Sequence, residues 1–388
     1  MSYEPITVVH LITELNMGGA EQMLHKLVTR MDHNKFRCMV VSMTDIGPIG
    51  EKIRAGGIPV FTLDMALGRP TPRGLIKMFH FFKQESVDII QTWLYHADLL
   101  GLVVGRFAGI KRIVWGIRCS NMHLRNYRPL TALTVRVGGV LSRLADAIVV
   151  NSEEGKDVHR RRGYHTERMV LIPNGFDTGR FCPDTSGRDW LLGQLSLSWD
   201  VILIGLVARF DPMKDQRTFL SAASLLAEKE SSVHFVMVGK GMDSHNRELI
   251  PLLDGNGLKE RVHLLGLRHD IPRIVAALDI ATSSSAFGEG FSNTIGEAMS
   301  CGIPCVVTDV GDSARIVGDT GFVVPPKEPD AMAGAWHQLI KMGRGRRRSL
   351  GEKARLRIVE NYDLREVVKR FEQFYKKLLS TSDWTSLK

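Results

Sequence analysis

Two glutamates and a run of small residues make the segment 283–311, SSSAFGEGFSNTIGEAMSCGIPCVVTDVG, the part of the chain best suited to chemistry. A Gly/Ser loop carrying Glu289 and Gly290 leads into a predicted helix that begins near Asn293 and carries Glu297. A helix start presents free backbone N–H groups and the positive end of the helix dipole, which favours phosphate. Carboxylates accept hydrogen bonds from hydroxyl groups, so we expect the glutamates to contact a sugar or a ribose. The alternative is that both glutamates only favour the helix start and one helix face.

Two cations follow the predicted strand VILIGLVA at 201–208. Arg209 and Lys214 lie in one short loop, so both side chains can converge on a single diphosphate. Arginine supplies a bidentate fork and lysine a movable point charge, and together they stabilise the charge that grows on a leaving diphosphate. The sequence contains no Asp-x-Asp metal motif, so we expect these cations to replace a divalent ion. The alternative is a pair of solvated loop charges.

Glycines after two predicted strands let the backbone approach a ligand where a side chain would clash. Gly18 and Gly19 follow the first strand and precede a helix, although such a pair also suits an ordinary turn. Gly239 ends the predicted strand 233–239 and Lys240 follows it, and the surrounding sequence lacks the spacing of a P-loop. We expect both loops to lie near a bound nucleotide or sugar.

The elements that position these residues are short β-branched runs alternating with helical patterns, which predicts parallel sheets covered on both faces. The alternation restarts at Val201 after a polar stretch, so the fold class is α/β with two doubly wound, Rossmann-like domains facing a cleft. The predicted domains are 1–180 and 181–363. An amphipathic helix begins at residue 364, and we expect 364–388 to pack back on the first domain.

The composition excludes several classes of protein. The chain has 388 residues, of which 44% are hydrophobic and 24% charged, so it is neither disordered nor a disulfide-rich miniprotein. A net charge of +9 favours anionic partners. Five cysteines without a CxxC pair indicate neither disulfides nor zinc and fit a reducing cytosol. The N-terminus lacks a signal-peptide pattern and the apolar segments are broken by arginines, so we expect neither export nor a membrane span.

Five sequence blocks, in order, resemble family 4 of the retaining glycosyltransferases with the GT-B fold. The segment 91–118 is similar to bacterial enzymes that build surface polysaccharide, such as O-antigen or capsule. The resemblance covers most of the chain and implies a hexosyltransferase that takes a nucleoside-diphosphate sugar, with a UDP-sugar favoured, and a lipid-linked glycan acceptor. The blocks are NMGGAE (16–21), PNGFDTGRF (173–181), GLVARFDPMKD (205–215), VMVGKGMD (236–243) and the Glu289-x7-Glu297 block.

The resemblance also implies roles for individual residues. Arg209 and Lys214 would neutralise the diphosphate leaving group, Glu289 would contact the transferred sugar, and Glu297 would hold the ribose. The strand VHLLGL (262–267) matches a base-binding segment, in which backbone groups would meet the nucleobase. No metal and no cofactor besides the sugar nucleotide is expected. The expected donor-binding residues are Gly18, Gly19, Gly239, Lys240, Leu267, Arg268, Gly290, Phe291, Ser292, Asn293, Thr294 and Glu297.

Two residues of the first domain remain as alternatives for the sugar-facing role. Many relatives carry a histidine where this chain has Arg118, at the end of the strand RIVWGI. Either Arg118 binds a phosphate instead, or His96, at the start of a helix, contacts the sugar. We therefore predict both as members of the catalytic site.

The segment from Leu99 to Ala145 contains no Asp or Glu but eight Lys or Arg residues, including Arg125, Arg128, Arg136 and Arg143. Its pattern at 129–144 predicts a basic amphipathic helix, which is typical of a membrane surface. A packed helix with solvated arginines is the alternative. The prediction is a cytoplasmic protein that binds the anionic inner face of the plasma membrane, with no nucleic acid partner.

The two-carboxylate pattern together with a diphosphate cradle favours sugar transfer over glycoside hydrolysis. No third carboxylate is placed as a nucleophile, so a front-face retaining mechanism is preferred over double displacement. Two alternatives keep the fold: a nucleotide-sugar epimerase, and a non-catalytic basic protein that binds nucleotide, RNA or anionic lipid.

Overall fold

A computed structural model describes residues 4–66, 69–120, 129–255 and 257–380. Its strands and helices alternate along the chain. The strands are β1 Ile6–Ile12, β2 Phe36–Ser42, β3 Val60–Thr62, β4 Ile89–Trp93, β5 Arg112–Ile117, β6 Ala147–Val150, β7 Met169–Leu171, β8 Ile202–Val207, β9 Val233–Val238, β10 Val262–Leu264, β11 Ile280–Ser283, β12 Cys305–Thr308 and β13 Phe322–Val324. The helices are α1 Gly19–Val28, α2 Gly47–Ala55, α3 Pro72–Gln84, α4 Tyr95–Phe107, α5 Pro129–Leu141, α6 Glu153–Arg160, α7 Thr185–Leu195, α8 Gln216–Ala227, α9 Ile250–Gly255, α10 Ile271–Ala276, α11 Asn293–Ser300, α12 Ser313–Val317, α13 Pro329–Lys341, α14 Gly343–Tyr362 and α15 Leu364–Ser380.

The chain folds into two compact units. Unit 1 is Met1–Gly175 together with Leu364–Lys388, and unit 2 is Phe176–Asp363. The division lies before Phe176 rather than after residue 180, because the ring of Phe176 is fully buried in unit 2, where it stacks on Phe291. Each unit contains one parallel sheet with apolar layers on both faces, and the predicted pair of Rossmann-like α/β domains is confirmed.

The sheet of unit 1 has the strand order β3-β2-β1-β4-β5-β6-β7. One face packs against α1, α2 and α15, and the other packs against α3, α4 and α5. The amphipathic pattern of α15 buries Phe371 and Tyr375 in the first of these layers. The Tyr375 hydroxyl donates to Gln91 Oε1 at 3.2 Å, so the C-terminal helix packs back on unit 1, as predicted.

The sheet of unit 2 has the order β10-β9-β8-β11-β12-β13. Its longest strands, β8 and β9, were predicted from runs rich in apolar residues. The runs of β3, β7 and β13 were not recognised as strands, because each has three residues and lies at a sheet edge. Such edge strands are only partly buried and have one hydrogen-bonded neighbour, so their sequences carry little apolar pattern.

Two observations concern the charged and apolar surfaces of the helices. A basic run at 343–357 lies in α14 and includes Arg347. Its guanidinium is buried and donates to the carbonyl of Leu339, at 3.3 Å. Within the described ranges, no helix combines the length and the apolar character needed to cross a bilayer.

Candidate active site

In unit 2, loops that follow successive strands are joined by backbone hydrogen bonds at the carboxyl edge of the sheet. Phe210 N donates to Lys240 O at 2.8 Å, which links the loops after β8 and β9. Gly239 N donates to Gly266 O at 2.8 Å, which adds the loop after β10. Ala286 N donates to Met213 O at 2.9 Å, which adds the loop after β11. The predicted donor-binding residues of this unit therefore lie in one connected set of loops and in α11, which follows one of them.

Lys214 and Glu289 form an ion pair at the centre of these loops. Glu289 Oε1 accepts from Lys214 Nζ and, at 2.9 Å, from Ser285 Oγ. Both charged side chains are largely buried, with 16% and 9% of their surfaces exposed. Ser284 Oγ donates to the Lys214 carbonyl at 2.7 Å, which fixes the backbone of the lysine. A buried, hydrogen-bonded pair of this kind holds both side chains in a defined position.

Arg209 is positioned by Asp211, which the sequence analysis did not single out. Arg209 Nε donates to Asp211 Oδ2 at 2.9 Å, while about half of the arginine side chain stays exposed. Asp211 Oδ1 accepts from Met213 N at 2.9 Å, and this local hydrogen bond shapes the turn that leads to Lys214. In the sequence, the Asp-Pro pair at 211 and 212 is a turn signal, and it is the feature that could have indicated the positioning role of Asp211.

Gly311 supports the loop that carries Glu289. Its φ is +63°, and a Cβ at this position would lie 2.2 Å from the carbonyl oxygen of Glu289. Asp312 N donates to Gly290 O at 3.0 Å from the same segment. The loop therefore rests on a backbone surface that only glycine allows at this position. The sequence analysis included Gly311 in the motif but gave it no role.

The start of α11 follows directly from that loop. Phe291 is buried between Phe176 and Tyr362, so its side chain belongs to the core. Only its backbone could make the predicted contact with the sugar nucleotide. Ser292 precedes the helix, and its hydroxyl lies 3.3 Å from Thr294 Oγ1. The first N–H groups of an α-helix have no acceptor within the helix, so the start of α11 is suited to an anion.

The remaining predicted residues of unit 2 lie around Gly239. Its φ is +141°, and a Cβ there would lie 2.0 Å from Ala208 O, so the position requires glycine. Lys240 and Leu267 are exposed beside it. Arg268 donates from Nε to Asp270 Oδ1 at 2.8 Å, and this ion pair engages its side chain. The predicted base contact by backbone groups at Leu267 and Arg268 stays a prediction.

In unit 1, Gly18 immediately precedes α1 and lies against a buried carboxyl group. A Cβ on Gly18 would lie 2.2 Å from Glu21 Oε2, so glycine leaves the space that this side chain occupies. Burial raises the pKa of Glu21 to about 7, and the charge of Glu14 adds to the increase. Gly18 and Gly19 therefore form a close turn around Glu21, and their predicted ligand contact stays a prediction.

Arg118 occupies a different setting from the cations of unit 2. Its Nη1 donates to Asn174 Oδ1 at 3.1 Å, and its guanidinium lies 4.3 Å from the ring centre of Trp93. The residue keeps some exposed surface, yet Nε and Nη2 are buried and have no hydrogen-bond partner in the described part of the chain. Burial lowers the pKa of Arg118 to about 10, against the opposing influence of Tyr375 and Asp98.

Asp98, on α4, was not among the predicted residues. Its Oδ1 accepts from Thr92 Oγ1 at 2.5 Å and from Gly116 N at 3.2 Å. Its Oδ2 is buried and has no hydrogen-bond partner among the residues that the structure describes. Burial raises the pKa of Asp98 to about 7, and the charge of Arg118 opposes this shift. Unit 1 therefore contains a buried acid and a buried cation that are each only partly hydrogen-bonded.

His96 braces α4 against α5. Its Nε2 lies 3.2 Å from Thr131 Oγ1, and its Nδ1 lies 3.4 Å from Thr134 Oγ1. Burial lowers the pKa of His96, so the ring is neutral near pH 7. Both ring nitrogens are engaged by threonine hydroxyls, which gives His96 a structural role. The sugar contact predicted for His96 stays a prediction.

Metal binding was not expected from the sequence. Among the described residues, no three His, Cys, Asp or Glu side chains are grouped in a way that would hold a metal ion. Arg209 and Lys214 are the predicted replacement for a metal. Independence from metal stays a prediction that a chelator tests directly.

Family and sequence comparisons agree on the type of protein. A family model described as "Glycosyl transferases group 1" matches residues 202–342, and one described as "Glycosyltransferase Family 4" matches 17–180. The chain is 26% identical over 293 residues to an Escherichia coli UDP-Gal:alpha-D-GlcNAc-diphosphoundecaprenol alpha-1,3-galactosyltransferase, covering 74% of this chain and 75% of that protein. It is 24% identical to Bacillus subtilis EpsF over 306 residues, covering 78% of this chain and 79% of EpsF.

Solved structures with low sequence identity share the fold. Anabaena HepE in complex with UDP superposes with a TM-score of 0.84 at 23% identity, covering 96% of this chain and 100% of HepE. Sucrose-phosphate synthase from Thermosynechococcus elongatus has a TM-score of 0.77 at 19% identity, covering 97% of this chain and 100% of the synthase. At these identities the similarity establishes the GT-B architecture alone.

Proposed function

We propose that this chain, which belongs to family 4 of the GT-B glycosyltransferases, moves a hexose from a nucleoside-diphosphate sugar to a lipid-linked glycan with retention of the anomeric configuration. The favoured donor is a UDP-sugar. The proposed acceptor is a saccharide on a polyprenyl diphosphate in bacterial polysaccharide biosynthesis, reached from the cytoplasmic face of the membrane.

The observation that supports this proposal most strongly is the ion pair of Lys214 and Glu289 beside the start of α11. When the bond between the sugar and the diphosphate breaks, negative charge grows on the β-phosphate. Lys214 Nζ can shift from Glu289 toward that charge, because an ammonium group has several donors on a flexible stem. Glu289 then accepts from a hydroxyl of the transferred sugar, so the site is most favourable when charge has developed.

The direction of proton transfer follows from the front-face reaction that we propose. In a front-face reaction the acceptor hydroxyl attacks the anomeric carbon on the side from which the diphosphate leaves. The departing phosphate oxygen takes the acceptor proton, so the new glycosidic bond forms and free nucleoside diphosphate is released. Arg209 and Lys214 have to hold that phosphate in place throughout, which is the task of preorganised cations.

The choice of donor and acceptor draws on the relatives. The Escherichia coli relative is named for transfer from UDP-Gal to a GlcNAc-diphosphoundecaprenol, and HepE was solved with UDP. These properties belong to those proteins. They support the proposal that this chain uses a uridine nucleotide and a diphosphate-linked lipid, since the sequence similarity to the first of them spans about three quarters of both chains.

The test is a transfer assay with a panel of UDP-hexoses and a GlcNAc-diphosphate lipid, in excess EDTA. We expect one donor to give a glycosylated lipid by mass spectrometry, with an axial anomeric linkage by NMR, and the Lys214→Ala variant to give almost none. An inverted linkage would contradict retention. Conversion of the UDP-sugar to its epimer without an acceptor would contradict transfer, and dependence on added magnesium would contradict the metal-independent reaction.

A further inference from the structure

A row of large apolar side chains is exposed on one side of unit 1. Four of these residues lie on α5, one lies in the 3-10 turn that follows it, and two lie on α4, which packs against α5. We call this surface the apolar face. Its members are Val103, Phe107, Leu130, Leu133, Val137, Val140 and Leu144.

The spacing of the apolar face is regular. Leu130, Leu133, Val137 and Val140 follow one another at alternating intervals of three and four residues, which places them in a single stripe along α5. Phe107 is 80% exposed, far more than is usual for a phenylalanine. Contiguous exposed apolar side chains of this kind mark a surface that contacts another molecule or a membrane.

The stripe cannot rotate into the core, because the opposite side of α5 is fixed by close contacts. A Cβ on Gly138 would lie 2.5 Å from the Tyr164 hydroxyl, and one on Gly139 would lie 2.5 Å from Arg162 O. His96 bridges to Thr131 and Thr134 from α4. The glycine side of the helix is therefore held against unit 1, and the leucine side faces outward.

The charged residues of α5 and of the turn that follows it are all arginines. Arg136 and Arg143 are exposed beside the stripe, and neither forms an ion pair with any residue that the structure describes. The sequence from Leu99 to Ala145 contains no acidic residue. Arg125 and Arg128, which the sequence analysis also counted toward this basic surface, lie outside the described residues.

We propose that the apolar face inserts into the boundary between headgroups and acyl chains of a bilayer that contains anionic lipid. Apolar side chains flanked by arginines match such a surface, where the arginines meet phosphates and the stripe meets hydrocarbon. A second copy of the chain is a poor match, because the same face on two copies would bring Arg136 and Arg143 close to their own images. The inference rests on the proposed lipid-linked acceptor for its use in the cell.

The inference differs from the basic-surface prediction in what holds the protein on the membrane. A purely electrostatic contact is screened by salt, whereas insertion of apolar side chains is not. We therefore expect wild-type protein to keep part of its binding to vesicles at high salt.

The experiment compares three double variants by co-sedimentation with vesicles of phosphatidylcholine and phosphatidylglycerol, at low and high salt. Leu133→Gln with Val140→Gln removes apolar surface and keeps the charge. Arg136→Gln with Arg143→Gln does the reverse. The matched control is Leu356→Gln with Val359→Gln, a leucine and a valine that are also exposed but lie on α14 of unit 2.

We expect the first variant to bind vesicles roughly tenfold to a hundredfold more weakly at both salt concentrations, because it loses apolar contact area. The arginine variant should bind about thirtyfold more weakly than wild type at low salt, since each basic residue contributes about fivefold. At high salt it should bind nearly as well as wild type. The control should bind like wild type. Thermal unfolding in the presence of UDP checks that all three variants remain folded and bind nucleotide.

Two results would overturn the inference. One is equal vesicle binding by wild type and the Leu133/Val140 variant. The other is a wild-type dimer that this variant converts to monomer, which would show that a second copy covers the face. Transfer to a short water-soluble acceptor separates this inference from the proposed function: the Leu133/Val140 variant should keep that activity, whereas a failed glycosyltransferase proposal would leave wild type inactive on every acceptor.

Discussion

The cations of the two units differ in how their charge is satisfied. In unit 2, Lys214 and Arg209 each have a carboxylate partner, and Arg209 reaches solvent. In unit 1, Arg118 is held by one amide oxygen and an aromatic ring, and two of its nitrogens are buried without a partner among the described residues. A paired cation can exchange its carboxylate for an incoming phosphate without losing compensation of its charge. A buried, half-satisfied cation is costly to form and is fixed in place.

This difference indicates at which cation an incoming phosphate can most easily replace the present hydrogen-bond partner. A phosphate that binds at Lys214 replaces one negatively charged partner by another, so the charge on the lysine stays compensated. A ligand that reached Arg118 would satisfy donors that currently have no partner, but it would first have to displace the packing around Trp93. We therefore assign the diphosphate to unit 2, and the variants below test that assignment from the largest expected effect to the smallest.

Lys214→Ala should cause the largest loss. In our proposal it removes the charge that faces the leaving phosphate, and the expected loss of transition-state stabilisation is roughly 2 to 4 kcal/mol in kcat/KM. Steady-state transfer assays with a saturating acceptor measure it. Lys229→Ala is the control, because Lys229 is exposed just after the end of α8 and is not a predicted site residue, so its loss should be much smaller. Equal losses in both variants would show that the buried pair has no special role.

Substitutions at the two glutamates should have different effects on turnover and on nucleotide binding. Glu289→Gln should lower turnover and leave nucleotide affinity nearly unchanged, because Glu289 faces the transferred sugar in our proposal. Glu297→Gln should weaken nucleotide binding, because Glu297 is assigned to the ribose. Calorimetric titration with UDP, combined with turnover numbers, separates the two outcomes. The assignment fails if both variants lose nucleotide affinity to the same extent.

Gly311→Ala should reduce activity by about tenfold or more, since its Cβ would displace the carbonyl of Glu289. The positive φ adds backbone strain of about 1 to 3 kcal/mol to the folded state. Gly193→Ala is a matched control on an exposed position of α7, where a Cβ has no neighbour within 4 Å. That change should leave activity intact and stabilise the helix slightly. Normal turnover in Gly311→Ala would remove Gly311 from the site.

Asp98→Asn should have the smallest effect on transfer activity. It should change how the free energy of unfolding depends on pH. Folded Asp98 keeps its proton up to about pH 7, whereas an unfolded aspartate loses it near pH 4. The free energy of unfolding of wild type therefore falls as pH rises through this window. The variant has no carboxyl group to titrate at this position, so its stability relative to wild type should increase from about pH 4 to about pH 7.

Urea unfolding at several pH values measures that difference. Glu21, whose pKa burial also raises to about 7, is present in both proteins and cancels when they are compared. Parallel stability curves for wild type and Asp98→Asn would show that the carboxyl group titrates in the folded protein as it does in the unfolded chain.

The contrast between the units also explains what the sequence could predict. The residues around Glu289 were predictable because loop, helix start and both glutamates lie within one contiguous segment. Asp211 and Gly311 were missed as supporting residues. Asp211 acts through a local turn with a weak signal. Gly311 ends the same segment as Glu289, but it acts through a tertiary contact with the Glu289 carbonyl that no local pattern indicates.

In unit 1 the sequence left His96 and Arg118 as alternatives, because their surroundings come from separate elements. The partners of His96 lie 35 and 38 residues away, and the partner of Arg118 lies 56 residues away. No local pattern indicates that two threonines of α5 engage the histidine, or that Asp98 lies buried near the arginine. The fold class was predictable because the alternation of apolar strands and helices is a property of the whole chain.

The most direct test of the central claim is thermal stabilisation of the full chain by UDP and by UMP in excess EDTA, for wild type and for Lys214→Ala. A ligand at 100 times its dissociation constant stabilises the folded state by about 2.7 kcal/mol. We predict that UDP stabilises wild type clearly more than UMP does, and that this difference nearly disappears in Lys214→Ala. Equal stabilisation of wild type by UDP and UMP, or stabilisation by UDP only after magnesium is added, would contradict a metal-free diphosphate site at Lys214.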